Sequence, residues 1–190
     1  MKVLGIYGSP RKEGNTSLLL RELLKGARVK GAETTEIFIC DMHILPCMAD
    51  YSCAKKGKCF LKDDMQGIYD QLIKHDHIVI AAPIFFYSVN AQTKSLIDRC
   101  QALWARKYIL KQPISGGEIK RKGVFISVGA TKGAKLFDGT LLTMKYFFDV
   151  LNVEFFKSLL YKNIDAEGDI IKHPTALKES YELGQILVTL

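Results

Sequence analysis

The chain opens Met1-Lys-Val-Leu-Gly-Ile-Tyr-Gly-Ser-Pro-Arg-Lys-Glu-Gly-Asn-Thr-Ser-Leu-Leu-Leu-Arg-Glu-Leu-Leu24. Val3 to Tyr7 is a short apolar run that reads as a strand, broken at Gly8-Ser9-Pro10 by a polar loop. From Asn15 the pattern becomes helical, with Leu19, Leu20, Leu23, Leu24 and Ala27 on one face. A strand turning directly into a helix leaves the first helical amides without intrahelical partners, at the positive end of the macrodipole. Ser9, Arg11, Asn15, Thr16 and Ser17 add side-chain donors at the same place. Together they describe a pocket for a phosphate dianion.

Two common phosphate loops are excluded. A nucleoside-triphosphate loop needs four residues between its glycines and then Gly-Lys-Ser/Thr, whereas five residues separate Gly8 from Gly14 and Asn15 follows. The Gly-x-Gly-x-x-Gly fingerprint fails as well, because two residues separate Gly5 from Gly8.

Downstream, strands and helices alternate. Thr34 to Ile39 is a β-branched run and a second strand. Cys40 to Asp63 has no sustained period and reads as a long loop. Met65, Ile68, Tyr69, Leu72 and Ile73 mark a helix with Asp63 as its N-cap. Ile78 to Ala82 is continuously apolar, as in strands covered on both faces. Pro83-Ile84-Phe85-Phe86-Tyr87-Ser88-Val89-Asn90 is an aromatic loop before a helix whose face carries Leu96, Ile97, Cys100, Leu103 and Trp104. Tyr108 to Arg121 reads as an exposed excursion broken at Pro113 and Gly116-Gly117. Gly123 to Val128 is a fourth strand, followed by the turn Gly129-Ala130-Thr131-Lys132-Gly133. A helix over Gly139–Leu151, a fifth strand over Val153–Leu160, a polar connection over Asn163–Lys172 and a helix over Thr175–Leu190 complete the chain.

This alternation predicts a single α/β domain over residues 1–190: a five-stranded parallel sheet of order 2-1-3-4-5 with helices on both faces. Ligands of such sheets lie beyond the carboxyl ends of the strands, where the order reverses. The loops Gly8–Ser17, Pro83–Asn90 and Gly129–Gly133 should therefore converge. A phosphate pocket, the aromatics Phe85, Phe86 and Tyr87, and glycines that permit close backbone approach or positive φ suit a ligand with a phosphate tail and a flat polar ring. FMN has that shape.

The residues then resemble a family. Gly8-Ser9-Pro10-Arg11-x-x-Gly14-Asn15-Thr16-Ser17 is similar to the phosphate loop of the NAD(P)H-dependent FMN reductases and iron–sulfur flavoproteins of flavodoxin-like fold. The likeness runs through Asp63-Asp64-Met65, Ala82-Pro83-Ile84-Phe85-Phe86-Tyr87, Lys94-x-x-Ile97-Asp98-Arg99, Gly129 to Gly133, Phe137 and Tyr146-Phe147-Phe148, to about Leu151. It implies non-covalent FMN, NAD(P)H as electron donor, and a homodimer or homotetramer. Ser9, Arg11, Asn15, Thr16 and Ser17 would bind phosphate; Pro83, Ile84, Phe85, Phe86, Tyr87 and Ser88 would support the ribityl chain and ring edge; Gly129, Ala130 and Thr131 would face the pyrimidine end. The acceptor would be a small molecule or small protein: a quinone, a free flavin or an iron protein. A flavodoxin-like carrier that does not oxidise NAD(P)H, and a metal- or redox-sensing protein, are the competing classes.

The departure lies among the cysteines. The iron–sulfur members place two residues between each of their first three cysteines and a longer gap before the fourth. Cys47, Cys53 and Cys59 match the first, third and fourth positions, and Asp50 stands at the second. A four-iron cluster prefers four thiolates, so the first reading is a loop without a cluster. A cluster completed by Asp50 or Cys40, zinc on three thiolates with His43, and thiols activated by Lys55, Lys56 and Lys58 are the alternatives, in that order.

A net charge of +7 raises the question of nucleic acid. The basic residues are scattered, and the densest runs, Lys55-Lys56-Gly57-Lys58 and Lys120-Arg121-Lys122, are short, so no nucleic-acid partner is expected. The opening strand is too short for a signal-peptide core with its cleavage site, and no apolar run reaches spanning length. A cytoplasmic protein with no membrane partner is the expectation.

Overall fold

The computed structural model describes residues 1–115 and 119–189. Strand β1 (Lys2–Tyr7) leads into α1 (Asn15–Val29), then β2 (Glu33–Phe38) and a 3-10 turn at Ile39–Asp41. A four-residue helix α2 (Cys53–Lys56) interrupts the long loop before α3 (Met65–Lys74) and β3 (His77–Ala81). The next segment is a hairpin, β4 (Ile84–Phe85) and β5 (Ser88–Val89), ahead of α4 (Ala91–Arg99) and α5 (Gln101–Trp104). Strand β6 (Lys122–Gly129), α6 (Asp138–Val150), β7 (Glu154–Lys162) and α7 (Ala176–Leu187) follow.

The order β2-β1-β3-β6-β7 is parallel throughout, so the five main strands follow the expected 2-1-3-4-5 arrangement. Alternate residues of each central strand enter opposite layers, as the two-residue pleat requires. Val3, Tyr7, Val79, Val124 and Ile126 pack with α1 and α7; Leu4, Ile6, Ile78, Ile80 and Phe125 pack with α3, α4 and α6. Both faces are covered, which is why β3 and β6 are apolar without polar alternation. Among the described residues no helix is long and apolar enough to cross a membrane.

Several elements differ from expectation. The aromatic loop is a tight antiparallel hairpin whose turn residues Phe86 and Tyr87 have φ of 49° and 60°. The segment Tyr108–Arg121 is not simply an exposed excursion. It begins within a π-helical turn (Ala105–Ile109) continuing α5, buries Ile114, and ends on a buried Arg121. The Arg121 guanidinium donates to the carbonyls of His75 (3.0 Å), Leu151 (2.6 Å) and Leu72, the acceptors that α3 and α6 leave without partners at their C-terminal ends. The predicted break at Gly116-Gly117 lies outside the described residues. Trp104 is 40% exposed rather than part of the buried stripe with Leu96, Cys100 and Leu103. The helical run bends there into the π-helical turn, which rotates the ring off that face.

Candidate functional site

The first loop holds its shape through its own hydrogen bonds. Gly8 donates its N–H to Ala81 O at 2.8 Å, and its carbonyl accepts from Asn90 Nδ2 at 2.7 Å. Thr93 in turn donates to Asn90 Oδ1 at 2.7 Å. Only glycine fits there, because a Cβ would stand 2.3 Å from Thr93 Oγ1 and 3.1 Å from Ala81 O. The first loop is thus fastened to the end of β3 and the start of α4. Ser9 Oγ accepts from the Arg11 amide (3.1 Å), and Ser17 Oγ donates to Arg11 O (3.0 Å). With α1 starting at Asn15 and its first helical bond running from the Leu18 amide to Gly14 O, the amides of Asn15, Thr16 and Ser17 have no intrahelical acceptor.

The three expected loops do converge at the carboxyl ends of β1, β3 and β6. They enclose a cleft of about 260 Å³ lined by Ser9, Arg11, Asn15, Thr16, Pro83, Ile84, Phe85, Gly129 and Ala130, with Pro10 and Gly14. Arg11 is exposed at its mouth, whereas Thr16 is almost fully buried. Ser17, Phe86, Tyr87, Ser88 and Thr131 do not line it.

Some of these residues play parts other than those expected. The side chain of Asn15 is committed to structure: its Nδ2 donates to Ala166 O (2.9 Å) and its Oδ1 accepts from the Ile170 amide (3.1 Å). Its amide N–H, not its carboxamide, is what it offers to the cleft. Ser17 likewise spends its hydroxyl on the loop. Phe86 is fully exposed at the hairpin tip. Tyr87 packs on the third loop, where a Cβ on Gly133 would stand 2.6 Å from the Tyr87 hydroxyl oxygen. Neither Gly129 nor Gly133 has positive φ; both are needed for close approach, Gly129 against Leu136 and Gly133 against Tyr87. Lys162 Nζ braces this loop by donating to Gly133 O at 2.8 Å.

Val128, Ile164 and Asp165 also line the cleft and were not singled out in the sequence. Ile164 and Asp165 follow β7, whose carboxyl end lies on the same side of the sheet. The rule that implicates the loops after β1, β3 and β6 extends to this one, but its polar composition hid it. Among the described lining residues only Arg11 and Asp165 carry charge.

The long loop forms a second cavity, of about 110 Å³, lined by Cys47, Asp50, Cys53 and Cys59 together with apolar side chains that include Leu61, Trp104 and Ile109. Arg99 closes one wall. It is 1% exposed and binds Asp63 through both terminal nitrogens, one contact being 3.0 Å, and Leu45 O at 2.8 Å. Asp63 also accepts from the amides of Leu45 (2.9 Å) and Met65 (3.2 Å). Burial pushes the Asp63 carboxyl up, but Arg99 and the Leu45 and Met65 amides outweigh it and hold the group below the usual carboxylate range. The N-cap of α3 is Asp64 rather than the expected Asp63; Asp63, one residue earlier, accepts from the Met65 amide and anchors both ends of the cysteine loop.

Two of the expected ligands are elsewhere. Cys40 Sγ lies beneath the first loop, 3.4 Å from Gly8 O, and the exposed His43 does not line the cavity. Among the described residues no three His, Cys, Asp or Glu side chains are grouped to hold a single metal ion, which counts against the zinc reading. The lysines do not activate Cys53: burial raises its thiol pKa, and Cys47, Cys59 and Asp50 add to the rise. Burial, and then Asp41, also push the Cys40 thiol up.

Comparison with known proteins supplies relatives of this chain. An iron–sulfur flavoprotein of Methanocaldococcus jannaschii is 43% identical over 103 residues, covering 54% of this chain and 53% of that protein. One from Methanosarcina thermophila is 34% identical over 132 residues, 70% of this chain and 65% of that protein. The chain thus spans between half and two thirds of the length of these curated relatives. The fold is shared with an NAD(P)H:quinone oxidoreductase from Methanothermobacter marburgensis (TM-score 0.74, 12% identity, 99% of this chain and 96% of that one). A flavone reductase structure matches with TM-score 0.72 and 18% identity, over 98% of this chain and 62% of that one. The family model described as NADPH-dependent FMN reductase matches residues 1–153, so the chain belongs to the NADPH-dependent FMN reductase family.

Proposed function

We propose that the chain is an FMN-dependent oxidoreductase that takes electrons from NADH or NADPH and passes them to a quinone, a free flavin or an iron protein. The observation that carries this reading is the cleft at the strand-order reversal, where a helix N-terminus with an arginine meets an aromatic hairpin and a glycine-containing turn. FMN, when bound, supplies hydride acceptance and stepwise electron release. The chain's own part is to bind and orient. The amides of Asn15, Thr16 and Ser17, the Thr16 hydroxyl and the Arg11 guanidinium meet the phosphate. Pro83, Ile84 and Phe85 on one side and Gly129 and Ala130 on the other would border the ring, and Asp165, which lines the same cleft, would stand beside its tail. The scarcity of titratable groups in the lining supports a site whose chemistry belongs to the cofactor.

Homodimers or homotetramers belong to the same reading. Its support is the exposed apolar surface around Trp104 and Tyr146, which line one groove. An anaerobic visible spectrum of the purified chain, taken with and without added FMN and then with NADH or NADPH, tests the function. A flavin spectrum that bleaches with nicotinamide is expected. Failure to take up FMN overturns the reading, and uptake without bleaching reassigns the chain to electron carriage.

A further inference from the structure

On the FMN reading above, we propose that Asp165 sets how tightly the cleft holds a phosphate-bearing ligand: its carboxylate opposes the phosphate and speeds the release of FMN.

The place of Asp165 is fixed from both sides. The chain leaving β7 turns at Asn163 (φ 58°), and the Ile164 amide donates to Gly129 O at 3.2 Å on the third loop. Immediately beyond Asp165, Ala166 O accepts from Asn15 Nδ2 at 2.9 Å, where α1 begins. The Ile170 amide then returns to Asn15 Oδ1 at 3.1 Å, and Ile164 and Ile170 are buried in the layer of α1 and α7. Asp169 stiffens the segment by accepting from the Ala166 amide at 2.9 Å and pairing with Lys172. Asp165 is thereby held between the third loop and the start of α1, and it lines the cleft together with Gly14, Asn15 and Thr16.

Among the described residues the Asp165 carboxylate makes no ion pair and no hydrogen bond, unlike Asp169 on the same segment. Arg11, the other charged lining residue, is likewise in no salt bridge among them, so Asp165 does not serve to orient it. The two lining charges cancel. A phosphate in the cleft is therefore held by the amides at the start of α1, the Thr16 hydroxyl and Arg11, against the repulsion of Asp165. Asp165 is exposed, so water and salt weaken that repulsion, which for a dianion leaves an effect on the order of tenfold in affinity. Glu167, an exposed carboxylate on the same segment but outside the lining, supplies the control.

The test titrates the full chain calorimetrically with FMN and with riboflavin, which lacks the phosphate. Inorganic phosphate is followed separately, by nuclear magnetic resonance of the Asn15, Thr16 and Ser17 amides. Asp165→Asn should bind FMN on the order of tenfold more tightly and release it more slowly in stopped flow, with inorganic phosphate tightened as well. Riboflavin binding should stay within about twofold of the parent, as should FMN binding by Glu167→Gln. Unchanged or weaker FMN binding by Asp165→Asn overturns the proposal, because a carboxylate that accepts hydrogen bonds from the ligand gives that result. It falls equally if riboflavin tightens as much as FMN, or if Glu167→Gln tightens FMN as much as Asp165→Asn does. A parent that binds neither flavin overturns the FMN reading instead. The phosphate titration then decides alone: tighter binding by Asp165→Asn upholds the opposition of Asp165 to an anion in this cleft, and equal binding removes it.

Discussion

Replacing Asp63 with asparagine tests how the cysteine loop is joined to the sheet. Asp63 and Arg99 are both fully buried at their side chains. The carboxylate also receives the Leu45 and Met65 amides, so one group ties α4, α3 and the entrance of the loop together. Asparagine keeps the shape but removes the charge, leaving a buried guanidinium without its counterion. Breaking such a pair from one side costs about 3–5 kcal/mol. At about 2–4 °C per kcal/mol for a chain of this size, the melting temperature should fall by roughly 6–20 °C. Urea denaturation of parent and variant, followed by tryptophan fluorescence, measures the free energy directly; Trp104 lines the cavity that the pair supports.

The pH dependence supplies an independent check. The Asp63 pKa is lower in the folded chain than its unfolded value, so its contribution is present above about pH 4 and is lost as pH falls through the folded value. The variant should therefore lose less stability than the parent on acidification below that point. The double variant Asp63→Leu with Arg99→Met, which removes both charges, should recover much of the loss. A single-variant cost under about 1 kcal/mol, the range of an exposed pair, would refute the reasoning.

Three further outcomes follow from the same contacts. Arg11→Ala should weaken FMN binding by about tenfold or more, the worth of one charge-assisted hydrogen bond, with folding stability unchanged within about 0.5 kcal/mol; calorimetric titration and thermal melting separate the two. Asn15→Ala should cost about 1–3 kcal/mol by orphaning Ala166 O and the Ile170 amide, and should loosen the loop after β7, read by hydrogen exchange at Ile170. Burial lowers the His77 pKa to about 4, so its neutral form favours folding; stability should decline as pH falls from about 6.5 toward 4, and His77→Gln should flatten that decline in a urea series.

Much of the cleft was legible before any coordinates. The break at Gly8 to Pro10, the helix starting at Asn15 and the apolar runs of β3 and β6 are local signals. Local signals survive folding when both layers of a doubly wound sheet need the same apolar strands. Strand order followed from crossover handedness, and the convergence of three loops followed from strand order. What each residue does inside those loops was not legible. Asn15 has donors suited to phosphate, yet its partners are Ala166 and Ile170, and no spacing rule reveals a pairing across about 150 residues of chain; Ser17 spends its hydroxyl on Arg11 within the same loop.

The sequence by itself determined the sheet, its order and the end of it that carries the site, because periodicity and chain handedness are properties of short segments. Only the tertiary structure decided that the loop after β7 contributes Ile164 and Asp165, and that Phe86 and Tyr87 turn a left-handed hairpin. The same holds for the cysteine loop. Its composition favoured a loop without a cluster and left Asp50 or Cys40, and after them His43, as the candidates to join the three thiols. Folding sends Cys40 under Gly8 and leaves His43 exposed, while the buried Asp63–Arg99 pair anchors the loop so that Asp50 shares a cavity with Cys47, Cys53 and Cys59. Which side chains meet depends on contacts between distant segments, and those exist only once the layers have packed.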